Sequence, residues 1–299
     1  DIDAYAMAAA SIDEALRNAV CVGVDLDLIA GLDNFCWPDP VESAKTPDGR
    51  YKLAQLVRAN RALDDVCRAY NLPCISGKDS MKNDATLHGE KISIPPTILF
   101  SLIGNHSDVR KAVSSDFKSV GDRVYLCGES HQELGASELS YMLREQIDGV
   151  SGIGGRVPEI DAERNLAMYR ALTAAMREGL IASAHDCSDG GLAAALAECC
   201  FGADAGANID VSKIMGDCTE INSWGALFGE SLGRIIVSVE PQHCSAFEAA
   251  MNGHACYSLG DVEVGDQISI SNGDEAILIA SMSSLRAAWK GALEGGGPQ

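Results

Sequence analysis

The sequence predicts an α+β protein with mainly antiparallel sheets, divided into two domains. Three observations predict this. Helical and strand-like hydrophobic periods are mixed without the strict strand–helix alternation of a doubly wound parallel sheet. The chain has 299 residues, which at about 100–200 residues per domain suits two cores. A polar stretch at 114–121 separates two runs of pattern, so residues 1–118 form one expected domain and 119–299 the other.

Residues 7–20 read as a helix. Ile12, Leu16 and Ala19 form one stripe, and Ser11, Glu14 and Asn18 lie opposite. A strand follows over 28–34. Residues 51–70 make a second amphipathic helix with Leu53, Leu56, Val57, Leu63, Val66 and Cys67 inward. Asn71-Leu72-Pro73 stops it, because proline lacks the N–H that a helix needs. Cys74-Ile75 opens a short strand that runs into a polar loop, 76–84. Residues 92–104 form a long apolar strand, with Pro95-Pro96 at its start or edge since proline cannot donate to a ladder.

Beyond the seam the pattern restarts with a strand at 123–127 and a helix at 138–143. A Gly-rich loop, 149–155, precedes a long helix at 162–178. A strand at 181–184 runs into Asp186-Cys187-Ser188-Asp189-Gly190-Gly191, and a helix at 192–200 follows. The rest reads as a strand at 207–211, a helix near Trp224, a strand at 234–239, a helix at 242–251, and strands at 257–264 and 267–271. Gly295-Gly296-Gly297 marks the tail.

Composition narrows the function classes. Asp and Glu number 43 against 23 Lys and Arg, a formal charge of −20. Such a chain repels nucleic-acid phosphates and anionic lipid surfaces. No apolar run approaches the roughly 20 residues that span a bilayer. The 11 cysteines are odd in number, contain no Cys-x-x-Cys pair and sit mostly in apolar stretches. They read as buried reduced thiols of a cytoplasmic protein rather than a disulfide or zinc framework. The first residue is Asp1, so the chain is expected to be a piece of a longer protein.

Four stretches carry candidate chemistry. Gly229-Glu230-Ser231-Leu232-Gly233 matches the nucleophile elbow of serine hydrolases. That motif needs a strand before the serine and a helix after it. Here the order is reversed, so the stretch reads as a helix-to-strand turn. Gly77-Lys78-Asp79-Ser80 follows a strand, but lacks the upstream glycine of a Walker loop. It is either a phosphate contact, with Lys78 and Ser80 meeting the anion, or a solvated turn. Glu14 and Asn18, at i and i+4, either hold one hard cation or form a wet helix face. Asp186 ends a strand just before a helix start, where backbone N–H groups favour an anion. Ser188 or Asp189 would cap that helix, leaving Asp186 to suit Mg²⁺ held against a phosphate. His185 has no second histidine at zinc-ligand spacing.

Five blocks together resemble a known family. They are Ser11-Ile12-Asp13-Glu14-Ala15-Leu16-Arg17-Asn18, Leu32-Asp33-Asn34-Phe35-Cys36-Trp37, Ile75-Ser76-Gly77-Lys78-Asp79-Ser80-Met81, His185-Asp186-Cys187-Ser188-Asp189-Gly190-Gly191-Leu192 and Leu227-Phe228-Gly229-Glu230-Ser231-Leu232-Gly233-Arg234. In this order they look like the second half of phosphoribosylformylglycinamidine synthase, in the aminoimidazole ribonucleotide synthetase superfamily. The resemblance implies an N-terminal α+β domain that pairs in a pseudo-dimer, followed by a C-terminal α/β domain. It implies a purine-biosynthesis ligase that joins formylglycinamide ribonucleotide, ATP and glutamine-derived ammonia through an iminophosphate, giving formylglycinamidine ribonucleotide, ADP and phosphate. The partners implied are the first synthetase half and a glutaminase, fused or separate, or a second copy when the chain is alone. The cofactors implied are Mg²⁺ and ATP or ADP.

Carried over residue by residue, Glu14, Asn18 and Asp186 match metal ligands of an auxiliary nucleotide site, and Ser188 matches a nucleotide contact. A further aspartate ligand would lie upstream of Asp1. Gly77 and Ser80 match a loop reaching into the true active site, where Lys78 replaces a metal-binding asparagine and would meet phosphate, because charged lysine has no acceptor. No block resembles the first half, which holds the family's catalytic histidine, so no catalytic residue is expected here and the chain alone is expected to be inactive. Two alternatives remain: a non-catalytic, structural nucleotide-binding half, or another superfamily member such as a thiamine-monophosphate kinase or a hydrogenase-maturation dehydratase.

Overall fold

The computed structural model describes residues 2–146, 154–203, 205–217 and 220–291. The elements of the first part are α1 (Ala4–Cys21), β1 (Asp25–Cys36), α2 (Gly49–Ala69), β2 (Cys74–Ser80), β3 (Asp84–Leu87), β4 (Glu90–Ser93) and β5 (Thr97–Asn105). The second part opens with β6 (Arg123–Cys127), α3 (Glu138–Gln146), α4 (Ala162–Arg177), β7 (Ser183–Asp186), α5 (Gly191–Phe201), β8 (Gly206–Asp210) and α6 (Ser212–Asp217). It ends with α7 (Ser223–Phe228), β9 (Ile235–Val239), α8 (Cys244–Ala250), β10 (Cys256–Glu263), β11 (Gln267–Asn272), β12 (Glu275–Ser281) and α9 (Met282–Gly291).

α1 starts where the Asp3 carboxylate accepts the backbone N–H groups of Tyr5 and Ala6, satisfying two otherwise orphaned donors. Its stripe of Ala8, Ile12, Leu16 and Val20 is fully buried and packs against α2 and β5. β1 is the centre of a three-stranded sheet, parallel to β2 and antiparallel to β5. On the helix side of this sheet Ile29, Phe35, Ile98 and Phe100 are buried. On the other side Leu99 and Ile103 are 60% and 67% exposed. Register pairs them with Asn34 and Ala30, so they share one uncovered face.

The second sheet has seven strands in the order β12-β11-β8-β10-β6-β9-β7. Among the described residues only β11 and β8 pair in parallel; the other pairs are antiparallel, as the sequence predicts. Alternating side chains feed two cores. Tyr125, Ile235 and Val237 join α4 and α8 residues such as Tyr169 and Phe247, and Val124, Leu126 and Ile236 join α5 residues such as Leu192 and Leu196. The first core also contains Ile12, Leu16 and Phe100, so it runs unbroken across the polar stretch at 114–121.

Several elements differ from expectation. The polar segment read as a loop after Ile75 is strand as far as Ser80, paired with β1 at Asp33–Gly77 and Asn34–Lys78. An edge strand exposed along nearly all its length shows no apolar alternation to read. The long strand expected over 92–104 is two: β4 closes a hairpin with β3, and Pro95-Pro96 fall in the link to β5. That hairpin turns at His88 (φ 50°) and Gly89 (φ 87°), the left-handed pair that a tight two-residue turn demands. α6, β12 and α9 were not anticipated. Most of the Gly-rich loop at 149–155 and the Gly295–Gly297 tail lie outside the described residues.

Candidate functional site

The N-terminal half of α1 faces the turn that follows β7, and a cavity of about 330 Å³ lies between them. Ser11, Glu14, Arg17, Ser188, Asp189 and Glu230 are among its walls. The charges around it are held from below by Asp13. This carboxylate is fully buried and pairs with the equally buried Arg17 one helical turn on, Nη1 to Oδ2 at 2.5 Å. It also accepts the Tyr70 hydroxyl, the Tyr169 hydroxyl at 2.8 Å, the Asn165 amide at 3.3 Å and the Gly233 N–H at 3.2 Å. α1, α2, α4 and the turn before β9 therefore meet on one carboxylate. Burial works against the Arg17 charge, but Asp13 more than offsets it and leaves the guanidinium held protonated.

Arg17 passes this anchoring on to the turn. Its Nη2 donates to the Ser188 Oγ at 3.3 Å, and the Ser188 hydroxyl donates to Asp186. Asp186 is 8% exposed and lies behind Ser188. Burial pushes its carboxyl up, but hydrogen bonds from His185 and Ser188 and the Arg17 charge outweigh burial and leave it below the ordinary range. His185 sits between two carboxylates, Nδ1 3.4 Å from Asp186 and Nε2 3.0 Å from Glu198. Burial lowers its basicity, yet the two carboxylates raise it to about 9. That histidine is an ion-pair partner and has the environment of one, not of a zinc ligand.

The expected capping by Ser188 or Asp189 does not occur. The residue before α5 is Gly190, at φ 76°, and its N–H donates to the Glu230 carboxylate at 3.0 Å. The same carboxylate oxygen accepts the Glu138 N–H at the start of α3 at 2.9 Å. One glutamate thus serves two helix N-termini, where negative charge is favoured. The Gly229–Gly233 stretch lies between α7 and β9, so a helix precedes Ser231 and a strand follows, opposite to an elbow. Ser231 is buried, and its hydroxyl accepts the His131 N–H at 3.0 Å.

The predicted residues divide into three places. Glu14 and Ser188 line the cavity and Asp186 lies directly behind it. Asn18 is one turn further along the exposed face of α1 and is not part of the wall. Gly77, Lys78 and Ser80 are on β2, and none of them lines the cavity. There the Lys78 ammonium donates to the Ser80 hydroxyl at 2.8 Å. Gly77 packs so closely over Asp33 that a Cβ would sit 2.4 Å from its carboxylate oxygen.

A hard cation suits part of this arrangement. The candidate donors are all oxygens. Partial burial raises the Glu14 carboxyl, and Asp189, Asp186 and Asp13 raise it further against the pull of Arg17, a crowding of like charge that a cation relieves. Among the described residues, however, no three His, Cys, Asp or Glu side chains converge to hold a metal alone. Asn18 and oxygens of a bound ligand would have to complete the shell. Sequence reasoning missed Arg17, Asp13 and Glu230 as members of this site. The available signal for the first two was a charged i, i+4 pair on the flank of the Ile12–Leu16 stripe, a place where an unpaired charge is costly.

A family described as AIR synthase related protein, C-terminal domain, matches residues 119–271, just over half of the chain. The chain belongs to this family. Among solved structures, it is similar to Thermotoga maritima PurL complexed with FGAR, with 16% identity and a TM-score of 0.73 over 95% of this chain and 43% of that one. PurLQS from Thermotoga maritima matches at 16% identity and a TM-score of 0.67, over 94% of this chain and 41% of that one. Hydrogenase maturation protein HypE in complex with ATP matches at 13% identity and a TM-score of 0.62, over 92% of this chain and 78% of that one. The fold is shared with all three. The chain spans about two fifths of the length of the PurL structures.

Proposed function

We propose that the chain is the second half of an ATP-dependent carbon–nitrogen ligase of purine biosynthesis, which converts formylglycinamide ribonucleotide, ATP and glutamine-derived ammonia to formylglycinamidine ribonucleotide. One observation carries this reading. The segment Gly77–Ser80 lies exposed on the edge strand of a sheet whose outer face, with Leu99 and Ile103, is uncovered. Among the described residues, its lysine and hydroxyl side chains have only each other and the Asp79 carbonyl as hydrogen-bond partners. A segment so placed completes a site whose other groups belong to a second half docked on that face. Binding of FGAR by one similar protein and of ATP by others supports the substrates. We further propose that the division at 118/119 separates a synthetase-type N-terminal domain, which pairs, from a synthetase-type C-terminal domain, and that a glutaminase supplies the ammonia in the cytoplasm.

The cavity beside α1 favours a second role in the same protein, that of holding a nucleotide that does not turn over. Glu14 and Asp186, with Asn18, would hold Mg²⁺ there, and Ser188 would meet the nucleotide. Arg17, fixed by Asp13, would stand against its phosphates. Mg²⁺ would supply charge neutralisation. The experiment has three readouts. The isolated chain is expected to form no product from formylglycinamide ribonucleotide, ATP and ammonia, and turnover by it alone would refute the half-site reading. It is expected to scatter light as a dimer that Leu99→Asp with Ile103→Asp dissociates. Mg-ADP is expected to bind by calorimetry, at least about tenfold more weakly in Asp186→Ala, and unchanged binding removes Asp186 from the site.

A further inference from the structure

Two thiols meet at the corner where α2 turns into β2. The Cys67 and Cys74 sulfurs are 3.8 Å apart. Cys67 is buried on the last turn of α2, whereas Cys74 is exposed at the first position of β2. Both line an open groove of about 880 Å³, with Asp64, Asn71 and Pro73 beside them. The turn between them is already organised, with Leu72 N–H donating to the Cys67 carbonyl at 2.9 Å and Asn71 N–H to the Arg68 carbonyl at 3.1 Å. A disulfide needs sulfurs about 2.05 Å apart. Sulfurs already in van der Waals contact reach that by small side-chain rotations.

We propose that Cys67 and Cys74 form a thiol modification site that accepts low-molecular-weight disulfides and closes to an intramolecular disulfide. Glutathione disulfide is the probe. Cys74, the exposed thiol, loses its proton and attacks one sulfur of the probe. The probe's S–S bond breaks, one glutathione leaves as thiolate and takes a proton, and a mixed disulfide remains on Cys74. Cys67 then loses its proton and attacks the Cys74 sulfur, expelling the second glutathione, which is protonated in turn. Two protein thiols are oxidised and one external disulfide is reduced to two thiols. The roles follow from access, because only Cys74 meets the groove as an exposed residue. Burial, reinforced by the neighbouring Cys74, raises the Cys67 thiol and keeps it protonated and unreactive toward the probe, so it enters only at the second step, where contact with the Cys74 sulfur makes the attack intramolecular. The product would staple α2 to β2, three residues before Gly77.

A second close pair provides an internal control. Cys127 and Cys256 face each other across β6 and β10 with sulfurs 3.7 Å apart. Cys127 is fully buried and Cys256 only partly exposed, so proximity is matched while access is not. The reduced chain is incubated with glutathione disulfide, alkylated, and digested with trypsin without reduction. The expected product links peptide 62–68 to peptide 69–78, with two thiols lost, before any Cys127–Cys256 link forms. Cys67→Ser is expected to stop at one glutathione on Cys74, and Cys74→Ser to protect Cys67. Formation of the Cys127–Cys256 link first, or a Cys67→Ser chain that takes no glutathione at Cys74, overturns the proposal.

Discussion

The two sheets of this molecule treat their faces differently. Every residue of β9 in the seven-stranded sheet is buried, because helices cover both sides. In the three-stranded sheet, β2 is exposed at nearly every position, and β5 alternates between buried Ile98 and Phe100 and exposed Leu99 and Ile103. The seven-stranded sheet completes its own core. The three-stranded sheet has an apolar outer face and places chemically capable side chains, Lys78 and Ser80, at its edge. An apolar surface of that kind marks an interaction site more often than a resting surface. The contrast teaches that completeness is unevenly distributed within this chain: the cavity beside α1 leans on a covered core, whereas the outer face of β1, β2 and β5 is left open, where the proposed second half would dock.

The largest expected effect tests the junction between the two regions. Asp13→Ala leaves Arg17 buried without its carboxylate and is expected to cost about 3–5 kcal/mol in chemical denaturation. A loss below about 1 kcal/mol would show that Asp13 does not bind the regions together. Next, Ile236→Ala in the covered sheet is expected to cost about 2–5 kcal/mol.

A pH effect follows from His185. Its folded value of about 9 lies above the ordinary 6.5, so its ion pairs contribute stability that is fully present below about pH 6.5 and lost as pH rises through about 9. The loss is expected to be about 2 kcal/mol after screening. Glu198→Gln should flatten that slope, and an unchanged slope would exclude the pair. The smallest effect closes the comparison. Leu99→Ala on the open face is expected to change monomer stability by less than about 0.5 kcal/mol while weakening self-association by sedimentation. Equal costs for Leu99→Ala and Ile236→Ala would erase the distinction between the sheets.

α1 was legible from its stripe, since Ile12 and Leu16 recur at the helical period and are fully buried; on α2, Val66 and Cys67 are buried as expected, but Leu53 and Val57, expected inward, are exposed. Glu14, Asp186 and Ser188 were legible as oxygen donors at a helix face and a strand end. β2 was not, because an edge strand exposed on both sides has no alternation, and its pairing with β1 is a long-range fact. The cap of α5 was misread for a similar reason. Ser188 and Asp189 are the local candidates, but Glu230, 40 residues away, takes the Gly190 N–H.

What the sequence determined by itself is local: helix faces, strand cores, the turn residues, and a donor set of oxygens and hydroxyls. Periodicity and backbone chemistry act within a few residues, so they leave their mark in order along the chain. What the tertiary structure decided is which of these meet. It joined Asp13 to Tyr70, Asn165, Tyr169 and Gly233, aimed Arg17 at Ser188, and kept Gly77, Lys78 and Ser80 out of the cavity. A buried charge must be paired by whatever the fold brings within reach, and that reach is set by packing between elements rather than by spacing along the sequence.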